Sequence, residues 1–525
     1  MSELLGTWEF GSHLLSVEDI RGGQGPLGVS YAAGVDTRYD DTCMAPLLTS
    51  VSLAGSDAAG GGSVGTAATT RSAAFTGNMN PPEKMLLARG TKLGAIRLDT
   101  RVSLFDGTAE GAGVPYTEAV THLHYTKSAG GTHEVSVCFD DVIFRSITDV
   151  PETGGYTASA NDESHKYRIM FDGGSDAAAT VVLGLGRGSG TTQNKVASNT
   201  LSGSTTMDAS AWQSRATIGT DVVFTGGAMD GRYALIGTND GVYLHDAELL
   251  KFRAQQDELP ADPNNHQCFG LQAISFLGPG VLNPTIRGLR LSQDANSRSV
   301  GVEMYPQNTS PVNGRYGHAT ASERWIYMPI YNTVTGESYI MALRPRQPGD
   351  AHDQPLSWYT LFELDSLESK ICVFSGFKGG VTSPTVWVGR GSDVGWFLEP
   401  LTQRPWDDSN MTFGVAGTLY GTLLRRDPDR GKIPEFITLE TAACTTTETI
   451  AIDLVFVDRR GEERTVRCGA PVTKNGRHKL SVPQMGEGVA AFYPKVTLAS
   501  AGGNATPRIK YRSLRVWGSK GEMGY

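Results

Sequence analysis

The chain has little charge, no long apolar run and no closely spaced cysteines, and each shortage closes off a class of protein. Only 19% of its 525 residues are charged, while 64 are glycine. That composition opposes a helical protein and suits one with many tight turns. No apolar stretch approaches the ~18 residues that a membrane-spanning helix needs. The start, Met1-Ser-Glu-Leu-Leu-Gly-Thr-Trp8, has neither a basic region nor a hydrophobic one, so export on a cleaved leader is not expected. Cys43, Cys138, Cys268, Cys372, Cys444 and Cys468 are scattered without a C-x-x-C pair. They read as free, buried thiols of a protein made in a reducing cytoplasm, with a bridge between Cys444 and Cys468 left open. A net charge of −9 gives no overall attraction to nucleic acid or anionic lipid. The locally basic stretch Arg508 to Arg515 reads as a strand with a solvated face.

Catalytic signatures are missing as well. Gly186-Arg-Gly-Ser-Gly190 has the wrong spacing for a serine nucleophile elbow, and no helix is expected after it. Gly184-Leu-Gly186 lacks the third glycine and the βαβ setting of a dinucleotide site. The chain has no P-loop, no H-E-x-x-H and no EF-hand loop. His122 and His124 would share one strand face, as a metal pair does, but without a third ligand they read as two polar residues on a wet face. Ser392-Asp-Val-Gly-Trp396 has the residue types of a sialidase turn at the wrong spacing. Acidic loop pairs such as Asp407-Asp408 are too common to mark a glycosidase. Neither a cofactor nor a metal is expected.

What the chain does have is one phrase written repeatedly: an aromatic or β-branched strand, a Gly/Asp/Asn turn, and a second strand. The clearest copies span 233–245, 325–341 and 385–398, and fainter ones 85–98, 134–145 and 167–185, with room for another at 276–291. Each reads as a β-hairpin. Their spacing centres on roughly 50 residues, the period of propeller blades. The fold expected is therefore all-β: a β-propeller of about seven blades, with six or eight as alternatives, over 83–430. One stretch, Asp246 to Asp257, reads equally as a short helix or as a strand leading into a loop.

The two ends differ from this repeat. Residues 1–82 hold an early strand near 28–35 and the tract Ser56 to Thr70, which lacks the bulk to form a core. The segment 54–75 is the expected arm for threading into a neighbouring subunit. Residues 431–525 carry longer strands at 435–440, 448–457, 495–498 and 510–517, as a small C-terminal β-sandwich or jelly-roll would. Trp358, Tyr359, Trp406 and Tyr305 lie in or beside loops and are the candidates for stacking on a sugar. Aromatics of this kind more often fill the space between blades.

The central text, Trp325 to Arg346 with Trp358-Tyr-Thr360 and Pro384 to Gly391, resembles propeller-containing structural proteins of tailed bacteriophages, in which a C-terminal β-module ends in a strand like Ser513-Leu-Arg-Val-Trp517. The resemblance implies a non-enzymatic virion component of the tail or its fibres, made in the host cytoplasm and present in several copies. The partners it implies are other virion proteins and a host-surface glycan or receptor. Two further readings stand beside it: a propeller enzyme cleaving host-surface polysaccharide, and a bacterial propeller scaffold.

Overall fold

Short runs of β-branched and aromatic residues between glycine-rich turns leave the backbone one economical way to satisfy its N–H and C=O groups, which is pairing with the next run. The computed structural model follows that rule throughout. It describes residues 2–10, 27–52, 404–425, 431–458, 460–483 and 491–521, together with the strands and flanking residues named below between 71 and 399. The fold is all-β with several antiparallel sheets, and no α-helix occurs among the described residues.

Among the described residues, seven sheets follow one another along the chain, each a meander of neighbouring strands apart from one strand of the last. The first consists of Arg71–Phe75, Met85–Gly90, Thr100–Phe105 and Val114–Tyr116; the second of Val120–Lys127, His133–Phe139 and Arg145–Thr148. The third holds Tyr167–Asp176, Ala179–Gly186, Lys195–Leu201 and Gln213–Thr217. The fourth is built of Phe224–Met229, Tyr233–Thr238, Val242–Asp246 and Lys251–Asp257. Gln272–Ala273, Val281–Thr285, Gly288–Gln293 and Asn296–Ser299 make the fifth. The sixth pairs Gly314–Tyr316 with Ile326–Asn332, Ser338–Pro345 and Leu356–Leu364. The seventh has Ile371–Gly376, Thr385–Arg390 and Asp393–Leu398, and takes its fourth strand, Thr49–Ser52, from the other end of the chain. Each sheet touches the next, and Ile371–Gly376 of the seventh touches Arg71–Phe75 of the first.

Packing explains the text of these strands. In the third sheet Ile169, Phe171, Leu183 and Leu185 face Phe224, Ala234 and Ile236 of the fourth. Met170 and Val182, on the opposite face, join Cys138 of the second. In the sixth, Tyr327, Ile340 and Leu361 meet Val373, Val386 and Phe397 of the seventh. A sheet buried on both faces has no wet side, so these strands lose the polar alternation of a half-exposed sheet.

The ends of the chain form two more sheets around one core. One runs Glu3–Trp8, Leu514–Gly521, Gly431–Ala442, Arg508–Lys510, Asp41–Met44 and Val35–Asp36, with Gly476–Ser481 also on Gly431–Ala442. The other runs Val29–Ala33, Ala416–Gly421, Ala491–Ala499, Thr449–Val457 and Glu463–Arg467, with Leu424–Arg425 also on Ala491–Ala499. Ile437, Leu439 and Val516 from the first share a core with Ile450, Ile452, Phe456, Val496 and Leu498 from the second. The same core continues into Met328, Met341 and Trp358 of the sixth repeated sheet.

The pairing crosses the boundaries expected at 82/83 and 430/431. Glu3–Trp8, Asp41–Met44, Ala416–Gly421 and Leu424–Arg425 pair with strands beyond 431, and Arg71–Phe75 of the first repeated sheet lies before 83. Of the expected arm at 54–75, the last five residues form a strand paired with Met85–Gly90; residues 53–70 lie outside the described residues. The copy expected at 85–98 is not one hairpin, because the longer strand Met85–Gly90 has both edges taken by Arg71–Phe75 and Thr100–Phe105. Lys92–Leu93 and Ile96–Arg97 pair separately. The single strand expected at 510–517 is broken by a turn at Tyr511 and Arg512, where Arg512 takes a left-handed φ of 55°. Residues 251–257 are a strand.

Candidate functional site

Among the described residues, a completely buried ion pair lies where residues 29–52 pass between the terminal sheets and the repeated ones. Val29–Ala33 belongs to one terminal sheet and Val35–Asp36 to the other, and Gly34 between them turns with φ +65°. A Cβ on Gly417 would lie 2.3 Å from the Gly34 carbonyl oxygen, so the crossing requires both residues to lack a side chain. Beyond it, Asp36 ends its strand and Arg38 stands two residues on in a bend, its backbone N–H donating to Asp36 Oδ1 at 3.0 Å.

Their side chains are completely buried. Arg38 donates from Nε to Asp36 Oδ1 at 3.0 Å and from Nη2 to Oδ2 at 2.9 Å, a two-pronged pair. Its Nη1 donates to the Tyr327 hydroxyl at 2.7 Å, and its guanidinium carbon lies 4.9 Å from the Trp325 ring centroid. Burial works against the Arg38 charge, but Asp36, then Tyr327 and Tyr39, together hold it well above its ordinary value. Burial pushes up the Tyr327 and Tyr39 phenols, with buried Glu399 adding to both. Burial also raises the Cys43 thiol and so disfavours its thiolate. Beside this knot, Tyr31 donates to Glu363 and meets Tyr339 edge-on at 6.3 Å. Its phenol is raised by burial first and by Glu363 second.

Clustered, perturbed groups often mark an active site, and structural ion-pair networks produce the same signature. Access decides between them here. With both charged side chains sealed from solvent, a substrate has no route to Asp36 or Arg38. The arrangement fastens the terminal sheets to the sixth repeated sheet.

Toward the surface the cluster continues through Tyr39, whose ring meets Trp406 edge-on at 6.2 Å and 76°. Trp406 is half-buried, and two arginines flank it: Arg508 with its guanidinium carbon 4.6 Å from the ring centroid and Arg404 at 5.8 Å. Of the four aromatics expected to bind a sugar, Trp406 alone reaches the surface among the described residues. Trp358 and Tyr359 are corrected to core positions. Both faces of their sheet are covered, so neighbouring residues pointing opposite ways are buried alike. The Trp358 indole donates to the Val300 carbonyl at 2.8 Å, and Tyr359 packs edge-on against Trp325 at 5.3 Å. Tyr305 lies outside the described residues.

The described residues contain no group of three His, Cys, Asp or Glu suited to a metal ion. His122 and His124 stand opposite Cys138 and Ser136 in register, and their side chains lie outside the described residues. Cys43, Cys138, Cys444 and Cys468 are free and buried, so the open question of a Cys444–Cys468 bridge resolves as two thiols. No helix among the described residues is long and apolar enough to cross a membrane. Sequence reasoning passed over Asp36, Arg38 and Glu399. The one available signal was an acid and a base two apart in a strand-like stretch, which places them on one face.

Neither a family model nor a curated protein matches the chain. Among solved structures, BBS1N in complex with ARL6DN aligns at 10% identity over 68% of this chain and 98% of that one, with a TM-score of 0.39. The extracellular domain of a putative one-component system from B. thetaiotaomicron aligns at 10% identity over 84% of this chain and 48% of its own, with a TM-score of 0.40.

Proposed function

We propose that the seven repeated sheets are the blades of a β-propeller, that the terminal sheets are a β-sandwich fastened to it, and that the whole is a non-enzymatic scaffold. The propeller reading is supported by the succession of meanders, each touching the next, and by the contact between the seventh and the first. The strand Thr49–Ser52 then closes the ring by completing the last blade and covering the edge of Asp393–Leu398. The scaffold reading is carried by one observation: the strongest charge cluster described, Asp36–Arg38 with Tyr327, is sealed and spent on joining the modules.

As to where such a scaffold works, the resemblance of residues 325–346, 358–360 and 384–391 to tailed-phage propeller proteins supports a tail-associated virion component. The sandwich would dock to other virion proteins and the propeller rim would face the host surface. Antibody raised against the chain should label tails of purified particles in electron micrographs. Label absent from particles, or depolymerisation of host-surface polysaccharide by the purified chain, would overturn the reading. A reconstruction showing six or eight blades would overturn the blade number alone.

A further inference from the structure

We propose that Trp406, Arg404 and Arg508 form a binding site for a carboxylate-bearing sugar residue, an inference that rests on the reading of the chain as a host-surface-binding scaffold. The indole is held rigidly. Pro405 is buried at the start of a single 3-10 turn, Asp407 N–H donates to the Arg404 carbonyl at 3.0 Å, and Tyr39 abuts the ring. Trp406 is half-buried against the terminal core, and two guanidiniums lie over its ring, Arg508 at 4.6 Å and the more exposed Arg404 at 5.8 Å from its centroid.

Both guanidiniums are underused. Charge-assisted N–H to carboxylate bonds run about 2.7–2.9 Å. Arg508 reaches Asp41 only at 3.9 Å, and Arg404 reaches Asp40 only at 3.5 Å. The Arg404–Asp40 pair is also largely exposed, at 55% and 81%, so an incoming carboxylate displaces Asp40 at little cost. Arg508 Nε is buried without a hydrogen-bond partner, an uncommon state for a charged donor. Residues 431–525 hold 14 Lys and Arg against 9 Asp and Glu, whereas residues 1–430 hold 32 against 46. The field around the module that carries Arg508 therefore favours anions relative to the rest of the molecule.

The pairing of an indole with two guanidiniums selects the kind of anion. An inorganic phosphate would use the cations and leave the indole idle. A sugar bearing a carboxylate draws the exposed Arg404 off the ring, lays its apolar face there and turns its charge to the arginines. An extended peptide would have to compete at Asp41–Met44 with pairings already made, Asp41 and Thr42 to Lys510 and Ile509 and Cys43 and Met44 to Asp36 and Val35.

The test is calorimetric titration of the full chain with an oligogalacturonate, with a neutral maltooligosaccharide of equal length, and with inorganic phosphate. The expected result is binding of the oligogalacturonate alone, weakened by rising salt. Arg404→Ala and Trp406→Leu should each reduce it about tenfold or more. Arg404 is exposed, so its variant keeps the fold even if Trp406→Leu does not. No binding, equal binding of the neutral sugar, displacement by phosphate at equal concentration, or unchanged affinity in Arg404→Ala would each overturn the proposal. Binding that survives Arg404→Ala would place acidic-sugar recognition elsewhere and leave the scaffold reading intact. Particles without label on the tail would remove that reading without touching this site.

Discussion

Replacing Arg38 by methionine keeps most of the aliphatic stem and removes the guanidinium. What remains is an Asp36 carboxylate with no exposed surface, deprived of two hydrogen bonds, and a Tyr327 hydroxyl deprived of its donor. Removing one partner of a buried pair costs about 3–5 kcal/mol. The lost contact with Trp325 at 4.9 Å falls within that range rather than adding fully to it. A chain of this size does not unfold in two states, so the loss belongs to the seam and is read there by native-state hydrogen exchange. At about 1.4 kcal/mol per decade, protection of amides in 35–44 and 326–332 should fall about 100- to 4,000-fold. The double variant Asp36→Leu with Arg38→Met should recover most of it, because an apolar pair carries no desolvation cost. A change under about tenfold in Arg38→Met, or a double variant as loose as the single one, would refute the account of the seam.

Three other outcomes follow from particular contacts. Val51→Pro removes a backbone donor from the strand that pairs Thr49–Ser52 with Asp393–Leu398, so exchange in 393–398 should rise while that in 167–186 stays unchanged. Gly417→Ala sets a methyl 2.3 Å from the Gly34 carbonyl oxygen and should cost about 1–3 kcal/mol of local stability, read as faster hydrogen exchange in 416–421, against little for Gly414→Ala, whose Cβ meets no atom nearer than 3.9 Å. The phenols of Tyr31, Tyr39 and Tyr327 are all raised in the folded state, burial being the first cause in each. Their stabilising contribution is thus complete below the unfolded value near 10 and lost as pH climbs above it. The urea midpoint should fall from about pH 10 upward, and fall less in Tyr31→Phe; a midpoint flat to pH 11 would contradict this.

Hairpins 233–245, 325–341 and 385–398 were legible because a hairpin is local: strand-forming residues, a turn that admits positive φ, and strand-forming residues again. Trp406 was legible for a similar reason, since a tryptophan between Pro405 and Asp407 in a polar stretch reads as a turn near the surface. Trp358 and Tyr359 were not. Exposure depends on what covers each face of a sheet, and alternation along one strand says nothing about the neighbouring sheet. The anchor residues Asp36 and Arg38 were hidden for the same cause, because a charge pair two residues apart looks solvated until the rest of the molecule closes over it.

By itself, then, the amino-acid order settled that this is a strand-built protein of repeated hairpins, because side-chain bulk and turn residues act over a few positions. Only the tertiary structure decided that Glu3 stands opposite Gly518 and Val51 opposite Val394. Backbone hydrogen bonds are the same for every residue, so no short segment names its distant partner. Those pairings were chosen by the shared burial of Leu5, Trp8, Ile437 and Val516, and of Tyr327, Val386 and Phe397, which is a property of the assembled sheets.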